Sequence, residues 1–359
     1  MTQKTAVVLL NLGGPDKPSS VKPFLYNLFN DPAIIQAPNP IRWGIAKLIS
    51  SRREKTAQEI YQNLGGGSPL LPNTEAQAQA LEGSLGDGHK VFIAMRYWHP
   101  RASETVQEVK EYNPDKIVLL PLYPQFSTTT TASSFIEWAR VAKKAGLEKP
   151  TTKVVEYPRA SGFIDALSVL TKAKLDELKT KTSETPRLLL TAHGLPEKIV
   201  KGGDPYQRQV EATSQRLIDT LGAYDIDPVI CYQSRVGPLK WIGPSTDDEI
   251  IRAGEDKKPI VIVSVSFVSE HSETLVELDI EYADLAHEKG VPHYLRVPTV
   301  DTNPFFIQSL KELVLSADQV SGQGCAQFVG EKKYCLQDCR CISGKQVPCD
   351  AIDQNRGAA

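Results

Sequence analysis

Eight short apolar runs punctuate the chain, and their composition constrains the fold more than any other feature. They lie at 6–10, 91–95, 117–120, 153–156, 187–191, 228–232, 260–267 and 294–297. They are rich in Val, Ile and Leu and hardly alternate with polar residues. A strand with one wet face alternates, whereas a parallel strand covered on both faces does not. Helical patterns separate the runs, clearest over 75–85, 104–111, 133–144, 162–179, 205–221, 247–253 and 273–288. Thr246-x-x-Glu249 adds a capping-box signal at the head of one of them. The reading is an α/β protein with parallel sheets. Four runs precede about residue 157 and four follow it, which predicts two similar halves, 1–157 and 158–318, with a cleft between them. Residues 319–359 turn polar and cysteine-rich and read as a C-terminal extension.

The 359 residues have room for two sizeable cores. A net charge of -2 and the absence of any Lys/Arg block give no reason to expect nucleic acid. The first apolar run is too short for a secretory signal and leads into a Gly-Gly-Pro turn. No apolar run approaches the ~18 residues that a membrane span needs. The expectation is a cytoplasmic protein. Five of the six cysteines fall in the last 35 residues, while Cys231 stands alone in a strand-like run. That pattern suggests a reduced body with a separate metal or cluster device at its end.

Candidate chemistry gathers after the strand ends, where open α/β sheets hold their ligands. The seventh run leads into 267–282, FVSEHSETLVELDIEY. Glu273, Glu277 and Glu281 are four apart, so a regular helix stacks them on one face, with His271 just ahead. Such a row is either a solvated helix face or a conduit for protons or cations. The fifth run leads into Ala192-His193-Gly194-Leu195-Pro196, and His193 reads equally as a structural or a functional histidine. Tyr97, Trp98, Tyr123, Phe126 and Trp241 also follow strand ends and would suit a flat apolar ligand, although each alone is ordinary core. Gly65-Gly66-Gly67-Ser68 offers either an anion-binding nest or a plain loop, and no Gly-Lys-Ser/Thr follows to make it a P-loop. Asn39-Pro40 can start a helix striped with Ile41, Ile45, Leu48 and Ile49 among Arg42, Lys47, Arg52 and Arg53. It is either a surface helix or an amphipathic lip that touches a membrane or an apolar ligand.

Seven motifs then stand in register: LNLGGP (10–15), GGGSPL (65–70), MRYWHP (95–100), PLYPQFS (121–127), AHGLPEK (192–198), YQSRVGPLKWIGP (232–244) and FVSEHSETLVELDIEY. Each is weak alone, but together over about 300 residues they are specific, and the chain resembles the ferrochelatases. The resemblance implies two Rossmann-like domains facing a porphyrin cleft. It implies insertion of Fe2+ into protoporphyrin IX with loss of two pyrrole protons and no organic cofactor. His193 and Glu273 would carry the chemistry. His193, Glu273, His271 and Glu277 would be the residues that meet the metal. Leu12, Arg53, Ser68, Arg96, Tyr97, Tyr123 and Trp241 would bind substrate. Leu12 stands where some members have methionine, and Thr128 stands where mitochondrial members have a cluster cysteine. The resemblance further implies peripheral membrane association through the 41–53 segment and a helix around Glu273 locally widened to a π-turn.

Bottom-up chemistry agrees with that role. A porphyrin must be bent before its pyrrole lone pairs can reach an ion, and a rigid apolar cleft can supply the strain. A neutral imidazole can take the protons, and carboxylates can carry them away or guide Fe2+ by weak oxygen ligation. In the extension the spacing is C-x9-C-x3-C-x-C-x7-C, which fits zinc, a [2Fe–2S] cluster or free thiols. By resemblance the cluster is favoured, held by Cys325, Cys335, Cys339 and Cys341 with Cys349 spare, and by analogy it favours a homodimer. Two other functions stay open: a chelatase for another tetrapyrrole such as coproporphyrin, and a non-catalytic porphyrin or heme carrier.

Overall fold

The computed structural model describes residues 3–235, 237 and 239–319, and strand segments at 324–326, 328–329 and 332–333. Two compact units make up the chain. The first takes in Met1–Glu156 and Leu310–Phe328, and the second Tyr157–Ser309.

In the first unit the strands are β1 (Thr5–Asn11), β2 (His89–Met95), β3 (Lys116–Pro121), β4 (Thr151–Val154) and, after the second unit, β9 (Gly324–Ala326). In the second they are β5 (Arg187–His193), β6 (Asp227–Gln233), β7 (Ile260–Ser264) and β8 (Tyr294–Arg296). Their orders are β2-β1-β3-β4-β9 and β6-β5-β7-β8. Every pairing within the two sheets is parallel. Both sheets therefore start in the middle, step to one side, and return past the first strand to the other side. Order reverses at β1 in one and β5 in the other, and the crevice beyond the strand ends at such a point is where ligands bind in open sheets.

The missing alternation in the apolar runs has a direct cause. Ala6, Val8 and Leu10 pack on one face with Val106, Phe135 and Trp138. Val7 and Leu9, which period-two geometry turns to the other face, are also fully buried. The same holds in the second unit, where Leu189, Ile260 and Ile262 pack with Ile250, Leu278 and Tyr282 while Leu188, Leu190 and Val261 are buried opposite. Each such side chain stabilises the fold by about 1.5–3 kcal/mol on burial.

The local differences from the sequence reading are instructive. Thr246 does not cap its helix: Ser245 does, its hydroxyl accepting from the Asp248 amide at 3.1 Å, while Thr246 turns inward to Thr191. The helix from Asn39 is longer than the apolar stripe, running Asn39–Gln62. Its stripe splits, with Ile41 and Leu48 exposed, Ile45 and Ile49 half-buried, and the small residues Ala46 and Ser50 buried. Helices Val21–Phe29 and Pro304–Asp318 add to those read from the sequence. Strand β9 adds a fifth member to the first sheet. No helix among the described residues is long and apolar enough to cross a membrane. Of the proposed cluster cysteines, Cys325 is described only through the backbone of β9, and Cys335, Cys339 and Cys341 lie outside the described residues.

Candidate active site

The end of β5 carries His193, and β7 leads into the segment that carries Glu273, so the two strands flanking the reversal point bring them together. His193 Nδ1 lies 2.8 Å from Glu273 Oε2. The histidine side chain is 39% exposed and the glutamate 26%, so the pair is reachable yet shielded. Glu273 feels burial pushing its pKa up, but the His193 charge and hydrogen bond, the nearby His271 and the Ser234 hydroxyl outweigh it and hold it at about 2. It is therefore an ionised acceptor. That fixes the Nδ1–H tautomer of a neutral His193 and leaves the lone pair on Nε2, which has no protein partner among the described residues. Burial works to lower the His193 pKa, but Glu273 and then Glu277 carry it above its ordinary value.

Glu273–Glu281 is π-helical, nine residues long, and passes into the α-helix Tyr282–Glu288. The wider turn changes how the acidic row lies. Glu273 and Glu277 are partly buried, while Glu281 is exposed. Glu277 is held from several sides: the Ser234 amide donates to Oε1 at 2.8 Å and the Gln233 side chain to Oε2 at 2.9 Å. Burial first, then the Glu273 charge, raise its pKa against these bonds. The Ser234 hydroxyl sits 2.5 Å from Glu277 Oε2 and 3.3 Å from Glu273 Oε2, joining the two carboxylates. Ser234 has φ of 61°, a left-handed backbone that costs a non-glycine residue roughly 1–2 kcal/mol. Its amide and its hydroxyl, both donating to carboxylates, hold it there.

The loop after His193 is locked to the one before Trp241. Ile242 N donates to Leu195 O at 3.0 Å and Glu197 N to Lys240 O at 2.8 Å. Gly194 suits a close approach, because a Cβ there would crowd Gln233 O at 3.1 Å and touch the Trp241 ring at 3.4 Å. Trp241 is half-buried, bridged to Pro196 and close to Gly194, and its indole N–H has no partner among the described residues. His271 is tethered by its ring Nδ1, 3.0 Å from Ser269 O, and by edge contact with Phe267. Among the described residues no group of three or more His, Cys, Asp or Glu is gathered as a ready metal cage. Of the four residues read as meeting metal, His193, Glu273 and Glu277 are joined by hydrogen bonds, directly or through Ser234, while His271 bonds to its own loop.

In the first unit the strand-end residues do something different. Arg96, after β2, pairs with Asp31 at 2.8 Å and donates to Ser133 Oγ at 2.7 Å. Asp31 also accepts from the Tyr97 hydroxyl at 2.8 Å. Tyr97 was expected to contact substrate, but it is fully enclosed, so its ring is core and its hydroxyl serves Asp31. Tyr123 is half-buried, its phenol pushed up by burial against the Ser134 hydroxyl and the Arg96 charge. Leu12 is half-buried on the cluster of Val21, Phe24, Leu25, Tyr61 and Tyr97. Arg53 is exposed on the Asn39–Gln62 helix. The glycine loop is no anion nest: the amides of Gly65, Gly66 and Ser68 donate to Gln62, Tyr61 and Pro15 carbonyls. Gly67 is required because a Cβ there would lie 2.5 Å from Asp16 O. Ser68 Oγ accepts weakly from the Leu70 amide at 3.3 Å. Asp31 and Tyr282, whose hydroxyl lies 3.3 Å from Glu277, were not read from the sequence. A lone Asn-Asp-Pro turn and a tyrosine where the π-helix passes into the α-helix give no signal stronger than ordinary loop and core.

A family model for ferrochelatase matches residues 4–318. The chain belongs to the ferrochelatase family. The ferrochelatase of Caulobacter vibrioides is 55% identical over 319 residues, covering 88% of this chain and 90% of that one. That of Pelagibacter ubique is 48% identical over 321 residues, covering 88% and 92%. Among solved structures, SirB from Bacillus subtilis with Fe3+ is similar at a TM-score of 0.54 and 11% identity, covering 88% of this chain and 96% of that one. At that identity the likeness concerns the fold, two parallel-sheet α/β domains. The Rossmann-like architecture expected of a ferrochelatase is thus present in both units.

Proposed function

We propose that this chain inserts ferrous iron into protoporphyrin IX, forming protoheme. The observation that carries the reading is the His193–Glu273 pair at the reversal point of the second sheet, 2.8 Å apart, with Nε2 open. Ionised Glu273 keeps the proton of neutral His193 on Nδ1, so Nε2 faces outward as a base and can take a pyrrole proton. As that proton arrives, the adjacent carboxylate stabilises the imidazolium. Glu273 and Glu277, joined through the Ser234 hydroxyl, offer the proton a way onward, and with His271 they offer Fe2+ weak, exchangeable ligation on its way in. A network without a ready cage suits a metal that is cargo and must leave in the product. A carrier would have no use for the paired base and carboxylate.

The same reading assigns Arg53 and Ser68 to the porphyrin carboxylates and Leu12, Arg96, Tyr123 and Trp241 to its surroundings. Exposed Ile41, Trp43 and Leu48 (57%, 52% and 50%) on a helix bearing Arg42, Lys47, Arg52 and Arg53 suit peripheral contact with an anionic membrane, the inner membrane of a cytoplasmic protein. For the extension we propose a [2Fe–2S] cluster on four of its five cysteines, Cys325, Cys335, Cys339 and Cys341, with a homodimer as the assembly. Thiolates of that number and spacing would supply its ligand set, and insertion itself requires no electron from it.

The test is anaerobic Fe2+ insertion, followed by absorbance, with protoporphyrin IX and coproporphyrin III side by side. Protoheme formation in preference to the other product supports the reading. Preference for coproporphyrin would move the substrate, and binding without insertion would make the chain a carrier. A brown protein whose visible spectrum is lost in Cys339→Ser supports the cluster, and a colourless, zinc-loaded protein refutes it.

A further inference from the structure

The π-helix is a rare conformation that competes with an ordinary α-helix over the same residues. Here it extends for nine residues, and two of them, Glu273 and Glu277, must point at His193 and Ser234 at once. An α-helix turns 100° per residue, so converting the segment would rotate Glu277 relative to Glu273 and break one of these contacts. Something outside the segment must therefore favour the wider turn.

The edge strand β8 supplies two such restraints. Tyr294 donates its hydroxyl to the Leu278 carbonyl at 2.7 Å. Arg296, whose side chain is only 13% exposed, donates through Nε to Asp279 Oδ1 at 2.6 Å and through Nη1 to Glu270 Oε1 at 2.8 Å. Glu270 is itself anchored by the Thr299 amide at 3.0 Å. The guanidinium thus grips the chain three residues before Glu273 and two residues after Glu277. Its planar fork suits this task, because two donors fixed in one plane set the separation of two carboxylates as a single ammonium cannot. Arg296 touches neither His193 nor Glu273.

We propose that Arg296 is a positioning residue that braces the π-helix from both ends, holding Glu273 against His193 and Glu277 against Ser234. This rests on the metal-insertion reading for its effect on rate, but the brace itself can be tested without it. In Arg296→Met, kcat for insertion is expected to fall about 10- to 100-fold, as for other small misplacements of catalytic groups, with porphyrin affinity unchanged. Arg296→Lys should recover part of the rate, since it keeps one ion pair. Asp279→Asn, which leaves the grip on Glu270, should show a smaller loss in the same direction. Hydrogen exchange is the readout that a merely structural role would not move in this way: amides of 273–281 should open faster in both Arg296→Met and Asp279→Asn, while β5 and β7 keep their protection. Full insertion rate in Arg296→Met would overturn the proposal. So would unchanged exchange over 273–281 in Asp279→Asn, or loosening of the whole unit in Arg296→Met without selective loosening in Asp279→Asn. If the wild-type chain inserts no metal, the functional reading fails, and the exchange result still decides the brace.

Discussion

The two units share a strand order and place polar groups beyond the same strand ends, yet they put those groups to opposite uses. In the first, Arg96, Asp31, Tyr97 and Ser133 satisfy one another, and Asp31 is nearly inaccessible. In the second, His193, Glu273, Glu277 and Ser234 satisfy one another incompletely, leaving an open imidazole nitrogen, a carboxylate raised in pKa and a serine in a left-handed backbone. A closed network builds a wall, while an unfinished one in a shielded place has capacity to accept a proton or an ion. One topology therefore supports both, and the difference lies in a handful of side chains.

The sharpest way to break this contrast is Glu273→Gln. The rate of insertion should fall on the order of 100-fold, because the tautomer of His193 is no longer fixed and its imidazolium no longer stabilised. The pH profile should move too. His193 must be neutral to accept a proton, so activity rises with pH through its pKa, which the carboxylates hold above its ordinary value against burial. Without the Glu273 charge, burial dominates and the acid limb should shift to lower pH; an unmoved limb would remove Glu273 from its role. In the first unit, Asp31→Ala should act on stability: it leaves Arg96 charged, mostly buried and unpaired, which costs about 3 kcal/mol and lowers the thermal midpoint. If it instead lowered insertion with the midpoint unchanged, the wall would be part of the chemistry. Ser234→Ala removes the hydroxyl that joins the two carboxylates, and a loss of about 10-fold in kcat is expected, with porphyrin affinity intact. The smallest effect is expected for Arg53→Leu, where an exposed ion pair with a porphyrin carboxylate contributes about 1 kcal/mol or less to binding. Unchanged affinity would remove Arg53 from the site.

Much of this was legible in the chain. All eight apolar runs overlap strands, and the central ones, β1, β3, β5 and β7, are buried on both faces, which leaves a Val/Ile/Leu signature. The edges were less readable: β4 spans Thr151–Val154, two residues earlier than its apolar run, because the pairing to β3 begins at threonines that carry no apolar signal. β9 is three residues of Gly-Cys-Ala, too short and too small to announce a strand. His193 and Glu273 are visible through their motifs, and the fold brings them to 2.8 Å of each other. Tyr97 is fully enclosed, and a tyrosine after a strand end looks alike in sequence whether it faces a ligand or fills the core. The π-helix was implied only by family resemblance, because glutamates four apart suit either turn; only contacts distant in sequence, such as Arg296 with Asp279, distinguish them.

The most direct measurement is single-turnover Fe2+ insertion into protoporphyrin IX by the wild-type chain and by His193→Ala, with porphyrin binding followed by fluorescence in both. The wild type should form protoheme. The variant should bind porphyrin with similar affinity and insert iron at least about 100-fold more slowly, as expected when a general base is lost. Insertion by the variant at the full rate would show that the pair at the end of β5 is not where the pyrrole protons go.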